Sequence, residues 1–424
     1  MEKLKVVLIG AGGRGKTYTG FMKDSDKFKV VGVADPIQQR REFVRDLHGI
    51  PDENCFDTWE TLLARPKFAD IAIISTSDSL HYAPAMRAIE LGYNLLLEKP
   101  VAPTPEQCAD IANAAKAKGV KILVCHVLRY TSYWGKMKKM IDEGCIGQVM
   151  SVHHDECVGN LHQSHSYVRG NWGNTAKSSN MLLAKSCHDI DLIQWLVGSK
   201  CTYAQSFGSL SYFKRENAPA DAPEYCHEGC PHEAECYYAA QKLYGINARG
   251  WYRTHAFQQQ NMTAEQVEEK LRTTQYGKCV FKCDNDVVDH QVVNMEFENG
   301  AVASFNMSGF NKGGRHIRIM GTDGEIYGAH GDNVFYYYSF KTKETQEIRP
   351  SAEDMGESIT SGHGGGDGGI VNALYKYIAE GIVDSTLSEI GISVENHLIV
   401  FAAEQARLQK TVVDVREYTK KYLK

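Results

Sequence analysis

The chain has 424 residues, 43% of them hydrophobic, and carries a formal net charge of −5 at pH 7 from 47 basic and 52 acidic side chains. That length exceeds what one core accommodates and implies roughly two or three domains, while interspersed charge with no basic tract excludes the electrostatic footprint of a nucleic-acid binder. No apolar run is long enough to cross a bilayer and the N-terminus lacks the pattern of a signal peptide, so a soluble cytoplasmic protein with no membrane partner is expected.

The first element is the apolar run Leu4-Lys5-Val6-Val7-Leu8-Ile9, which reads as a buried parallel strand. It leads into Gly10-Ala11-Gly12-Gly13-Arg14-Gly15 at the start of a helix, the context in which such a hexad holds a dinucleotide. Gly10 permits the tight turn, Gly12 lets the backbone approach a pyrophosphate, Gly15 lets helix and strand pack closely, and the anion rests on the helix N-terminus. The second strand, Lys29-Val30-Val31-Gly32-Val33-Ala34-Asp35, ends in a carboxylate placed to accept hydrogen bonds from the adenosine ribose. Asp35 therefore favours NAD over NADP, although Arg40 and Arg41 follow closely enough to pair with a 2′-phosphate.

Apolar runs at 6–9, 30–34, 71–75, 94–97 and 121–124 alternate with amphipathic stretches, which predicts a doubly wound parallel α/β sheet of Rossmann type over 1–125. Glu98-Lys99-Pro100 follows the run 94–97 and so lies at the carboxyl end of a strand, where open α/β sheets bind their ligands. Lys99 is the candidate reactive lysine, and the proline fixes a turn in either isomer. Thr104 caps a helix over 106–118 that ends at Gly119.

After an amphipathic stretch at 137–144 the pattern changes. Strands at 149–154, 203–212, 287–298 and 302–310, with Glu298-Asn299-Gly300 as a hairpin turn, predict an α+β domain over 126–424 built on a large open, mainly antiparallel sheet. A helix-like stretch at 181–197 packs against it, a polar cysteine-bearing insertion occupies about 214–283 with a helix at 263–273, and a helix at 395–409 closes the chain before a basic, frayed tail.

The stretch 181–197 contains Lys185-Ser186-Cys187-His188-Asp189-Ile190-Asp191-Leu192. Lys185, His188 and Asp191, spaced by three, share one helical face, and an imidazole that titrates near neutrality suits a proton relay; the alternative is a hydrogen-bonded core histidine. His162-Gln163-Ser164-His165-Ser166-Tyr167-Val168-Arg169-Gly170-Asn171-Trp172 reads as a loop able to bond several hydroxyls while stacking on a sugar face, with His162, His165, Arg169 and Trp172 as candidate substrate contacts. His126, Arg129 and Asp191 are further candidates, as is His363 in Ser361-Gly362-His363-Gly364-Gly365-Gly366-Asp367, a run that reads equally as a flexible loop. A polyhydroxylated small molecule is the inferred substrate.

Twelve cysteines in a reducing compartment argue against a disulfide framework. Cys226, Cys230, Cys236 and Cys279 form a candidate four-ligand structural zinc site, with Cys283 or a histidine as substitute; an iron–sulfur cluster, an oxidised pair or unligated thiols are the alternatives.

Taken together, the Gly10–Gly15 turn, Asp35, Ser75-Thr76-Ser77-Asp78-Ser79-Leu80-His81, Glu98-Lys99-Pro100, Gly144-Cys145-Ile146-Gly147, His188 and Asp191 resemble the Gfo/Idh/MocA family of glucose–fructose oxidoreductase and inositol dehydrogenase relatives. The resemblance spans essentially the whole chain. It implies acid/base roles for Lys99 and His188, a nicotinamide-side position for Thr76, Ser77 and His81, and a second-domain sheet that often forms a homo-oligomer interface. Two departures stand out: Ala184 where many members have an aspartate four residues before the histidine, with Lys185 beside it, and the cysteine insertion, which resembles a bacterial subgroup.

The leading expectation is an NAD-dependent oxidoreductase acting on a secondary hydroxyl of a sugar, sugar derivative or cyclitol. The alternatives are a redox-neutral glycoside-cleaving enzyme with tightly bound NAD and Lys185 as extra base, and a non-catalytic NAD-dependent sensor.

Overall fold

The computed structural model describes residues 2–248, 250–259, 261–351 and 365–423. Six strands, β1 (Leu4–Ile9), β2 (Phe28–Ala34), β3 (Cys55–Phe56), β4 (Ile71–Ile74), β5 (Asn94–Leu97) and β6 (Ile122–Val124), form a sheet in the order β3-β2-β1-β4-β5-β6. Every pairing is parallel. The strands are apolar throughout because both faces are covered: Val7 and Ile9 pack with Ala85, Leu95 and Ile111, whereas Val6 and Leu8 pack with Tyr18, Met22 and Ile370. Strand order reverses between β1 and β4, which opens a crevice at their carboxyl ends. The helix Pro105–Lys118 is capped by Thr104, whose hydroxyl accepts from Gln107 N, and stops at Gly119 in the left-handed region, as its sequence predicts.

The second sheet has nine strands: β7 (Val149–Cys157), β8 (Cys201–Ser209), β9 (His290–Phe297), β10 (Val302–Ser308), β11 (Gly314–Gly321), β12 (Gly324–Ala329), β13 (Val334–Ser339), β14 (Thr345–Ile348) and β15 (Val412–Asp414). Their order is β14-β13-β12-β11-β7-β10-β9-β8-β15, antiparallel except for β7 with β10. The hairpin at Glu298-Asn299-Gly300 forms as read, with Gly300 at φ +82°. One face of the sheet packs on the helices Cys187–Val197 and Ile390–Gln409. The opposite face is open and displays Tyr203, Phe207, Val292, Val302 and Val412.

Four segments differ from the sequence expectation. The C-terminal tail is ordered: Val412–Asp414 adds the edge strand and Asp414 caps the helix Val415–Lys420, with Val413 and Tyr418 buried. Residues after 365 return to the first domain, where the helix Gly366–Tyr375 lays Ile370, Val371 and Leu374 against Tyr18, Phe28 and Val127. The stretch 181–197 is two helices, Met181–Ala184 and Cys187–Val197, broken at Lys185 and Ser186. Most of the histidine-rich stretch is helical rather than a loop, running from Asn160–His162 into the buried, wider-wound π-helix Gln163–Arg169, while Asn171 and Trp172 remain exposed. The insertion carries two small cores, around Phe213, Tyr238 and Phe281 and around Leu243, Tyr244 and Leu271; its helix Ala264–Thr273 starts with the Thr263/Gln266 capping box.

Candidate active site

The crevice between β1 and β4 begins at Gly10, where φ is +92° and an added Cβ would lie 2.6 Å from Ser75 O. Only glycine reconciles that dihedral with that approach. Gly12 and Gly13 are the opposite case: nothing lies within 4 Å of an added Cβ, and the helix Gly13–Met22 starts without a side-chain cap, so its first N–H groups face open space. That is a cradle of the shape a pyrophosphate fills. At the end of β2, Ala11 N donates to Asp35 Oδ2 (2.8 Å) and Ile37 N to Asp35 Oδ1 (2.9 Å), which fixes the carboxylate beside the glycine turn. Arg41 is already committed to Asp35 O and to Asp57 (2.6 Å). Thr76 Oγ1, at the end of β4, is buried without a hydrogen-bond partner. The chain around these residues fits a dinucleotide.

Arg14 leaves the glycine turn sideways. Its Nε donates to Glu98 Oε1 (2.7 Å) and its Nη2 to Asp367 Oδ1 (2.6 Å), while Tyr18 Oη donates to the same Glu98 oxygen (2.6 Å). Burial would push the Glu98 carboxyl up, but Arg14 and Lys99 outweigh it and hold it below the usual carboxylate range. Glu98 is thus an ionised anchor beneath the turn that carries Lys99, not an open ligand contact. The Lys99–Pro100 bond is cis. His81 sits behind this turn, Nδ1 2.7 Å from Pro100 O and Nε2 3.2 Å from Thr76 O, so its ring ties the two cofactor-side segments together. Ser77 is exposed at the same rim.

Lys99 Nζ donates to Ala184 O at 3.1 Å. The carbonyl belongs to Ala184, four residues before His188, at the break that opens the helix carrying that histidine. His188 is 8% exposed and packs edge-on against His126, ring centroids 5.6 Å apart. His126 in turn packs on His397 at 5.6 Å. Val101 N donates to His397 Nε2 (3.0 Å) and His397 Nδ1 donates to Ser393 O (2.7 Å), which sets a neutral tautomer. Burial pushes His126 down to about 4 and His397 to about 3. Arg129 makes two hydrogen bonds to Asp191, 2.7 and 2.8 Å, and Asn396 Nδ2 adds a third at 2.6 Å.

Lys185 does not share a face with Asp191. The helix break turns it toward Glu156 (3.2 Å) in a buried network in which Arg315 also binds Glu156 (2.6 Å) and Asp189 (2.8 Å), and His154 Nε2 meets Asp189 at 2.8 Å. Burial lowers the Lys185 pKa, opposed by Glu156. This network escaped the sequence because its members come from β7, β11, the break at Lys185 and the helix Cys187–Val197; its one local signal is the inward alternation of His154 and Glu156 on β7.

Residues 4–126 match the family described as "Oxidoreductase family, NAD-binding Rossmann fold", and residues 138–392 match "Oxidoreductase family, C-terminal alpha/beta domain". The chain belongs to the Gfo/Idh/MocA oxidoreductase family. Among similar family members, YteT of Bacillus subtilis (strain 168), named as an oxidoreductase, is 24% identical over 83% of each chain. The 2,7-anhydro-N-acetylneuraminate hydratase of Escherichia coli (strain K12) is 28% identical over 45% of this chain and 49% of its own. The solved structure of levoglucosan dehydrogenase with NADH and L-sorbose superposes with a TM-score of 0.71 at 21% identity, covering 98% of this chain and 99% of that one.

Within this Gfo/Idh/MocA fold, several candidate residues lie elsewhere than expected. Arg129 and Asp191 neutralise each other behind His188, almost wholly buried, and are not free substrate contacts. Arg169 spends its guanidinium on Lys278 O and Tyr238 O (both 2.8 Å), and His165 Nδ1 lies 3.1 Å from Tyr244 Oη, so both anchor the insertion. Trp172 does reach the cofactor domain: its Nε1 donates to Asp78 Oδ2 at 2.9 Å. His363 falls outside the described residues. The zinc expectation gains no support: among the described residues no three His, Cys, Asp or Glu side chains are grouped to hold a metal ion, and Cys226, Cys230, Cys236 and Cys279 form no disulfide. Cys226 Sγ instead accepts a long contact from Arg169 Nη2 at 4.0 Å.

Proposed function

We propose that this family member transfers hydride between NAD and a secondary hydroxyl of a sugar, sugar derivative or cyclitol, with Lys99 and His188 moving the hydroxyl proton. The observation that carries this reading is the bond from Lys99 Nζ to Ala184 O, which brings the lysine at the carboxyl end of β5 against the segment that presents His188. NAD supplies the hydride acceptor. Gly12 and Gly13 would cradle the pyrophosphate in the turn that Gly10 and Gly15 shape, Asp35 would take the ribose hydroxyls, and Thr76 and Ser77 would line the nicotinamide side. Lys99 donates a hydrogen bond to the reacting hydroxyl and His188 accepts its proton. A sugar and an inositol dehydrogenase among the relatives support the substrate class.

The test is NADH formation across a panel of sugars and cyclitols, with Lys99→Ala expected to lose at least 100-fold in kcat, in line with one general acid/base contribution of about 10²–10⁴. Unchanged turnover in that variant overturns the assignment.

A second reading, redox-neutral cleavage of a glycoside by transient oxidation and elimination, draws on Lys185, a lysine with lowered pKa beside Glu156, and on the hydratase relative. It gives cleaved product without net NADH. The open face of the nine-stranded sheet supports a homo-oligomer in which a second copy covers Tyr203, Phe207 and Val302.

A further inference from the structure

The insertion does more than pack on itself. Its helix Gly250–Phe257 is tied down by Arg253, whose Nη1 donates to Gly245 O (2.7 Å) and Ile246 O (2.8 Å), and by Tyr252, which packs into the small core of Tyr244 and Leu271. The next residue round, Trp251, is left 51% exposed. Its indole is held in place, stacked on His255 at 4.2 Å between centroids with a 30° interplanar angle. It also meets the edge of His162 at 6.0 Å. From His162 the row continues to Tyr167 (5.9 Å) and from Tyr167 to Trp172 (6.1 Å), the indole already bonded to Asp78 of the cofactor domain. His162, in the middle, feels the charge of Lys185 and is pushed by burial down to about 3, so it is a neutral ring. The row therefore has an inner end at the catalytic domain junction and an outer end on the insertion, and its two terminal tryptophans are the exposed members, Trp172 at 36%.

Trp251 also meets Tyr252 at 4.8 Å and His165 at 5.8 Å, so the indole is pre-oriented while about half of it stays in water, and flat aromatic faces bind the C–H faces of sugars and aryl rings. We propose that Trp251 is an outer subsite that stacks on the second unit of a glycoside, a further pyranose or an aromatic aglycone, so that the substrate is a glycoside or oligosaccharide rather than a free monosaccharide. This rests on the sugar-directed function proposed above and adds the size of the substrate. His255 and His162 are positioning residues for the indole.

Saturation-transfer NMR on the NAD-loaded protein tests it, with 4-nitrophenyl and methyl glycosides of gluco-, galacto-, manno- and xylopyranose and the corresponding disaccharides as probes. The expected result is saturation of the nitrophenyl ring or second sugar in the wild type, several-fold weaker in Trp251→Ala and retained in Trp251→Phe, while saturation of the first sugar is unchanged. Equal second-unit saturation in wild type and Trp251→Ala, or none for any probe, overturns the proposal. NADH formation from the methyl glycosides is read in parallel. If none forms while Trp251→Ala still loses the second-unit signal, the proposed reaction fails and the subsite stands.

Discussion

Lys185 and Arg315 show how two cations in one buried network carry different weights. Lys185 meets a single carboxylate, Glu156, whereas Arg315 spans Glu156 and Asp189. Removing Lys185 leaves Glu156 with Arg315 still at 2.6 Å; removing Arg315 leaves two carboxylates short of a partner. Lys185→Met is therefore expected to destabilise by about 1–3 kcal/mol and Arg315→Met by about 3–5 kcal/mol, because an uncompensated buried charge costs more than the pair contributes. Urea unfolding of the two variants checks the order, and the reverse order would show that Lys185 is the keystone. If Lys185 serves only the glycoside-cleaving reading, Lys185→Met also keeps its hydride transfer.

Among the elements, the glycine turn separates a structural from a binding role residue by residue. Gly10→Ala forces a side chain into φ +92° and to 2.6 Å from Ser75 O, and is expected to cost about 1–3 kcal/mol in stability. Gly12→Ala meets nothing within 4 Å and has a φ of −72°, so stability should stay within about 0.5 kcal/mol of wild type while NAD affinity falls, its methyl standing where the pyrophosphate would lie. Thermal unfolding and calorimetric NAD titration, run on both variants, read the two effects separately; weakened unfolding in Gly12→Ala with intact NAD binding would invert the roles. The turn, the parallel strands, Thr104 as cap and the Asn299-Gly300 hairpin were all legible in the sequence, because each rests on a local rule of spacing or dihedral. The partners of Asp191, Arg169 and Lys185 were not. Period-three spacing put Lys185 and Asp191 on one helical face, but the chain breaks at Lys185 and Ser186, and Arg169 found its partners in the insertion, more than fifty residues away in sequence. Likewise the cysteine spacing suggested a metal, and only the fold shows the arginine beside Cys226.

At the scale of the whole molecule, four histidines with lowered pKa values contribute to the response to acid. Burial holds His126 and His165 at about 4 and His162 and His397 at about 3, all below the ordinary value of 6.5. Between pH 6.5 and about 4 the unfolded chain binds protons at these positions and the folded chain does not, so stability is full above that window and falls as pH drops through it. Each such histidine adds a slope of about 1.4 kcal/mol per pH unit. Urea midpoints measured from pH 7 to pH 4.5 should decline, and His397→Gln should flatten the decline by up to one proton. A midpoint independent of pH over that range would mean that the four imidazoles are protonated in the folded state. The same junction unites the two domains: Lys99 from the first reaches Ala184 in the second, and Arg14 in the glycine turn reaches Asp367 in the returning C-terminal helix.

The central claim, hydride transfer to nicotinamide beside Lys99 and His188, is tested most directly by following the hydride itself. Incubating the NAD-loaded protein with carbon-deuterated sugars, glycosides and cyclitols and weighing the recovered nicotinamide ring by mass spectrometry should show deuterium in the coenzyme for the wild type and at least 100-fold slower labelling for Lys99→Ala. Conversion of a substrate with no deuterium entering the nicotinamide ring, or equal labelling in the two proteins, would contradict it.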